Sequence, residues 1–238
     1  MSSVKSLKRW ISTIRELQVL EIAKYAPEYS RALISHKLDK FDLLNGTDTS
    51  QIVPACDLKP LEIHGAHKHA NLYWPTNPHD FHKILSSLSL DWKDYTFIDI
   101  GCGKRRTLLM AARHPFKRIV GIDFSPALCD IAQKNIHQFF STLADSKNIT
   151  VQCQDAASFN FPPDKLVVYM FDPFKAEVMQ HVVNNLNESL LLHPRECYII
   201  YYLPMHARMF EEKGFRTIAS QPRNWRLRYP WRVYYKES

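Results

Sequence analysis

Two rhythms of apolar residues run along the chain. Between positions 4 and 23, Leu7, Ile11, Ile14 and Leu17 fall at three- and four-residue steps, the period of an amphipathic helix. Its polar face mixes Lys5, Lys8 and Arg15 with Glu16 and Glu21, a balance that suits docking on protein better than lying on a membrane. Residues 39–78 lose that periodicity and read as a loop-rich lead-in that covers one edge of the downstream domain. Asn77-Pro78 then predicts an N-cap and first helical position, with Phe81, Ile84, Leu85 and Leu88 forming the buried face.

Short apolar runs next alternate with helical patterns. Strands are predicted at 95–99, 118–122, 149–153, 166–171 and 197–203. The run at 166–171 is continuously apolar, as a central parallel strand should be. Helices are expected through "TLLMAARH", after Ser125-Pro126 along Leu128, Ile131, Ala132 and Ile136, and along Val178, Met179, Val182, Val183 and Leu186. The tail adds 215–220 and 231–235 as an antiparallel closing pair. The expectation is an α/β, Rossmann-like, doubly wound and mostly parallel seven-stranded sheet, with an antiparallel C-terminal hairpin and an N-terminal helical extension. Residues 1–70 would form the lead-in over the site's edge and 71–238 the catalytic domain.

Composition narrows the setting without naming a substrate. No run of 18 apolar residues occurs, so no membrane partner is expected, and the N-terminus interrupts its apolar residues with Arg and Glu, unlike a secretory signal. Five scattered cysteines without a C-x-x-C pair read as reduced thiols in a cytoplasmic protein. A net charge of +7 is compatible with an acidic partner and equally with a basic enzyme.

In an open parallel sheet, ligands lie beyond the carboxyl ends of the strands. Four predicted strands end in chemistry. The first runs into Asp99-Ile100-Gly101-Cys102-Gly103, where glycines allow a tight turn and close approach of a ligand. A G-x-G-x-x-G dinucleotide fingerprint would need glycine where Arg106 stands, which disfavours a nicotinamide-dependent oxidoreductase. The second ends at Asp123, 22 residues after Gly101, where a carboxylate can accept from a ribose diol or simply cap the next helix. The third ends near Asp155-Ala156, an acceptor with room beside it for an adenine ring, or a surface aspartate. The fourth ends in Asp172-Pro173-Phe174, a carboxylate at the end of a buried strand with an aromatic face beside it.

"FIDIGCGK", "VGIDFS", "CQDAASF" and "YMFDPF" together resemble the successive motifs of class I S-adenosylmethionine-dependent methyltransferases. The chain resembles more closely a bacterial group of unassigned substrate. That group shows an upstream segment similar to "FDLLNGTDTSQIVPACDL" and then "YWPT", and is loosely similar to seven-stranded protein lysine methyltransferases. The likeness spans about residues 40–235. It implies S-adenosyl-L-methionine as cofactor, with Asp99, Gly101 and Gly103 at its methionine end and Asp123 on the ribose. Phe124 is implied among the cofactor residues, and Asp155 and Ala156 at the adenine. Tyr73 and Thr76 would close over the methionine portion, and Tyr73 and Asp172 would serve the transfer itself. Where the group reads Gly-x-Gly-Lys-Gly-Arg, this chain keeps Lys104 and Arg106 but has Arg105 in place of the third glycine. Cations suit a helix N-terminus poorly, so Lys104 and Arg106 are expected to add positive potential for the cofactor carboxylate or an acidic substrate.

Methyl transfer by direct in-line displacement needs orientation and exclusion of water, and no covalent enzyme intermediate. An amine of a protein lysine or a small molecule is the favoured acceptor, with RNA as an alternative. A second alternative is a module that binds S-adenosylmethionine without turnover. His206 and the lead-in histidines are further candidate bases. His64, His67, His69, His79 and His82 have no metal-ligand spacing with cysteines, and no metal is expected. In the tail, Arg223, Arg226, Arg228 and Arg232 interleave with Trp225, Tyr229 and Trp231, which suits an edge hairpin better than a nucleic-acid surface. Oligomeric state is not readable from the sequence.

Overall fold

A computed structural model of the chain describes residues 40–53, 70–71, 73–140, 149–222 and 229–237. The amphipathic segment 4–23, His64, His67 and His69, and the tail residues Arg223, Trp225, Arg226 and Arg228 lie outside the described residues.

Seven strands form one sheet: β1 (Tyr95–Ile100), β2 (Arg118–Asp123), β3 (Ile149–Cys153), β4 (Lys165–Phe171), β5 (Cys197–Tyr202), β6 (Arg216–Gln221) and β7 (Trp231–Lys236). Their spatial order is β3-β2-β1-β4-β5-β7-β6. The first five positions are parallel, and β7 runs antiparallel between β5 and β6. The chain moves outward from β1 through β2 to β3 and then returns to β1's other side as β4. The crevice between β1 and β4 is therefore the switch point, where carboxyl ends diverge and a ligand can enter.

Alternation along each strand divides the core between the two faces. Ile98, Val168 and Ile199 turn toward helix Ala176–Leu192, whose Met179, Val182, Val183 and Leu186 meet them. Phe97, Val167 and Ile200 turn to the other face, against helices Pro78–Ser86 and Arg106–Ala111. Among the described residues the helices in chain order are α1 (Phe41–Asn45), α2 (Pro78–Ser86), α3 (Arg106–Ala111), α4 (Pro126–Phe140), α5 (Ala176–Leu192) and α6 (Ala207–Glu211). Asn77 caps α2 by accepting from the Asp80 N–H at 3.2 Å, with Pro78 at the first helical position.

The sequence pattern missed two short helices. Neither α1 nor α6 exceeds five residues, too few to show a period. α1 exists because Phe41 is buried and Gly46 ends the helix in the left-handed region at φ 66°.

Arg105 precedes α3 with φ 75°, a conformation that favours glycine. Its side chain is 0% exposed, and its three guanidinium nitrogens have no hydrogen-bond partner by normal geometry among the described residues. The polar groups near it are the Cys102 and Cys129 sulfurs, which are weak acceptors, with the Asp123 carboxylate attracting it from farther off. Burial lowers its pKa from the ordinary arginine value. Arg195 shows what a satisfied buried guanidinium looks like, donating to the carbonyls of Asp164, Ser189, His193 and Pro162 at 2.6–2.8 Å. Arg105→Met keeps most of the volume and removes the poorly partnered charge. Thermal unfolding should show it more stable by about 1–3 kcal/mol; a lower midpoint would mean the guanidinium is satisfied.

Candidate active site

The carboxyl ends of β1, β2 and β4 open into a cleft. Of the residues singled out in the sequence, Tyr73, Thr76, Asp99, Gly101, Gly103, Asp123 and Phe124 line it together. Asp155, Ala156 and Asp172 stand outside the lining.

The glycine turn explains why Tyr73 and β4 come so close. A Cβ on Gly101, at φ 79°, would lie 2.5 Å from the Pro173 side chain, and one on Gly103, at φ 50°, would lie 2.1 Å from the Tyr73 ring. The missing side chains are thus filled by the protein's own cleft walls. Gly101 and Cys102 both donate to the Ile122 carbonyl at 2.9 Å, which fastens the turn to β2.

Two carboxylates face the cleft from this floor. Asp99 is 2% exposed and accepts from the Thr107 hydroxyl, and burial pushes its pKa up to about 7. Asp123 accepts from the Gly103 N–H at 2.8 Å and the Ser125 N–H at 2.9 Å. Burial raises its pKa to about 6, with those two N–H bonds opposing the rise. Each Asp123 oxygen keeps a lone pair beyond the backbone bond it accepts. The carboxylate therefore has the donor-accepting capacity that a ribose diol requires, and the cofactor fits the residues present.

Lys104 corrects the expectation of free positive potential, whereas Arg106 lines the cleft and keeps its charge there. Lys104 donates to the Asp48 carboxylate at 2.9 Å and is buried. Arg106 donates from Nε to the Thr49 hydroxyl at 2.9 Å, from Nη2 to the Ser50 hydroxyl at 2.5 Å and from Nη1 to the Thr76 carbonyl at 3.4 Å. Its guanidinium also lies 4.9 Å from the centre of the Phe41 ring. Asn135 adds two bonds to Asp48 and one to the Lys104 carbonyl. Both side chains hold the upstream segment 41–50 onto the start of α3, Lys104 through an ion pair and Arg106 through neutral oxygens that leave its charge facing the cleft. From there the Thr49 carbonyl accepts from the Tyr73 hydroxyl at 2.8 Å. Burial drives the Tyr73 phenol well above its ordinary pKa, so it stays neutral and shapes the wall.

At the end of β4, Asp172 adopts φ 35°. Its Oδ1 accepts from the Tyr201 hydroxyl at 3.2 Å, and burial pushes its pKa up to about 7 against that bond. Asp155 accepts from the Ala157 N–H at 2.9 Å and caps a short turn, while Ala156 is buried in the core. His79 and His82 lie on α2 and outside the cleft lining. His206 donates its backbone N–H to the Tyr201 hydroxyl at 3.3 Å, which sets it one residue from Asp172. Among the described residues no group of three His, Cys, Asp or Glu could hold a metal ion.

Sequence reading missed Asn71, Trp74, Tyr169 and Phe171, which also line the cleft. Tyr169 shares a 2.8 Å hydrogen bond with Thr76 across 93 residues of chain, a pairing without a sequence signal.

Residues 97–190 match the family model described as a methyltransferase domain. No curated protein sequence matches the chain. Among solved structures, a precorrin-6y C5,15-methyltransferase from Geobacter metallireducens GS-15 is similar at 15% identity and TM-score 0.50, over 67% of this chain and 88% of that one. TrmN from Thermus thermophilus is similar at 13% identity and TM-score 0.50, over 68% of this chain but only 49% of its own. These likenesses bear on the fold, and the family match bears on the domain that carries the glycine turn and Asp123. No helix among the described residues is long and apolar enough to cross a membrane. The strand order, the buried carboxylates at the switch point and the matched span lead to one conclusion: residues 97–190 carry a methyltransferase domain on a Rossmann-like sheet, with S-adenosylmethionine as its cofactor.

Proposed function

We propose that the acceptor is an amine nitrogen, of a protein side chain or a small molecule, oriented by Asp172. The observation that carries this reading is the Asp172-Pro173-Phe174 turn. There a mostly buried carboxylate lies directly behind the cleft wall formed by Pro173 and Phe174. Bound S-adenosylmethionine supplies an electrophilic methyl on a sulfonium, so the protein needs to bind, orient and exclude water.

In this reading Asp123 accepts from the ribose hydroxyls, and Asp99 with Gly101 and Gly103 receives the methionine end. Phe124 packs beside them, and Asp155 and Ala156 take the adenine. Tyr73 and Thr76 close the cleft from above, held by Thr49 and Tyr169. Asp172 accepts a hydrogen bond from the acceptor amine at its Oδ atoms, points the lone pair into the cleft and takes up the proton. Arg105 does not argue for a module without turnover, because it is buried outside the cleft lining. The division at residue 70 is a proposal too, with the lead-in acting as the cover of the site's edge.

Titration calorimetry with S-adenosylhomocysteine should show Asp123→Ala weakening binding by about tenfold or more, since hydrogen bonds to a charged group contribute about 1.5–3 kcal/mol each. Unchanged affinity in the folded variant would remove Asp123 from the ribose.

Labelled methyl offered to fractionated protein, metabolite and RNA pools should enter protein or metabolites. Label confined to RNA would replace the acceptor class proposed here. In the labelled pool the rate should rise as pH passes through about 7, because Asp172 is protonated below that value and cannot accept. Asp172→Asn should lower the rate and flatten this rise; a rise retained in that variant would assign it to another group.

A further inference from the structure

Asp172 is mostly buried and absent from the cleft lining, while Asn71, from a segment 101 residues upstream, lines the cleft in front of it. Asn71 donates its side-chain amide to the Asp172 carbonyl at 2.7 Å and to Asp172 Oδ2 at 3.3 Å. Its backbone N–H donates to the Pro173 carbonyl at 3.0 Å, and Ala70 forms an isolated antiparallel bridge with Phe174. The carbonyl is a pure acceptor, so the side-chain atom facing it is the NH2 group. With Tyr201 on Oδ1, both carboxylate oxygens and both carbonyls of residues 172 and 173 already have a donor.

One nitrogen carrying two hydrogens therefore sits on two acceptors of Asp172, on the cleft side of that residue. An amine arriving from the cleft would need the same two acceptors. We propose that Asn71 is a specificity-determining residue whose carboxamide NH2 holds the place of the acceptor amine and is displaced by it. The proposal rests on the reading of Asp172 as the group that orients the acceptor.

The chemical consequence is selection for NH2 groups. When the Asn71 side chain turns away, its backbone bond to Pro173 can stay, and two acceptors of Asp172 become unpaired. A primary amine, or an amino group on a heterocycle, replaces both hydrogen bonds. A hydroxyl has one hydrogen and leaves a buried acceptor unsatisfied, a loss that discriminates strongly between otherwise similar ligands.

Sinefungin tests this without knowledge of the natural acceptor. It replaces the methyl-bearing sulfonium of the cofactor with a carbon that carries an amine, so its amine projects where the methyl would leave. Calorimetry at pH 8, where Asp172 is ionised, compares sinefungin with S-adenosylhomocysteine. In the unmodified protein the two should bind within a few-fold of each other, because Asn71 already occupies the acceptors. Asn71→Ala should raise the preference for sinefungin about tenfold, and Asp172→Ala in the same chain, which removes the side-chain acceptor and leaves only the carbonyl, should cut that gain severalfold. Asn71→Leu, which fills the place without donating, should show no gain. A preference unchanged in Asn71→Ala, with S-adenosylhomocysteine still bound, would overturn the proposal. A gain undiminished by Asp172→Ala would overturn it as well. Failure of the unmodified protein to bind S-adenosylhomocysteine would instead overturn the cofactor assignments on which both readings stand. Should Asn71→Ala not fold, Asn71→Ser gives the same comparison, with a gain expected from its shorter side chain.

Discussion

The Arg106 guanidinium joins three parts of the chain that sequence keeps far apart. It stands in the first turn of α3, directly after the glycine turn, and reaches Thr49, Ser50 and the Thr76 carbonyl while covering Phe41. A cation there opposes the helix dipole, a cost that the hydrogen bonds to oxygen and the aromatic face offset. Because residues 41–50 are fixed to α3, the Thr49 carbonyl is in place to hold Tyr73 against Gly103. The wall of the cleft, its floor and residues 41–50 are thus one mechanical unit.

Burial sets the electrostatics of that unit. Asp99 and Asp123 stand close enough to be coupled, and both have pKa values raised toward neutrality by desolvation. Apolar burial alone would leave these carboxylates costly to ionise. Backbone N–H groups at Gly103 and Ser125 recover part of that cost for Asp123. Asp172 follows the same logic at the neighbouring strand end, where Tyr201 and Asn71 supply the donors. The site is a set of desolvated acceptors, which suits a ligand rich in hydroxyl, amino and sulfonium groups.

Much of this architecture was legible in the residues. Every strand was placed to within about two residues, because continuous apolar runs and period-two burial leave few alternatives. Asn77-Pro78 announced α2 through local capping chemistry that needs no tertiary context. Asp99, Gly101, Gly103 and Asp123 were visible because they lie at strand ends with turn-specific spacing. Asn71 and Tyr169 were not, since their partners lie 101 and 93 residues away and pair through single side chains.

The sequence by itself determined the strand and helix order and the glycine turn. Those properties depend on backbone propensity, apolar period and local spacing, all of which are written in contiguous residues. Only the tertiary structure decided what the three cations after the turn do. Lys104 and Arg106 bind the upstream segment, and Arg105 is buried at a positive φ near two cysteine sulfurs and the Asp123 carboxylate, its guanidinium without a hydrogen-bond partner of normal geometry among the described residues. A charge's partner is chosen by whatever the fold brings within about 3–4 Å, and no local pattern records that distance.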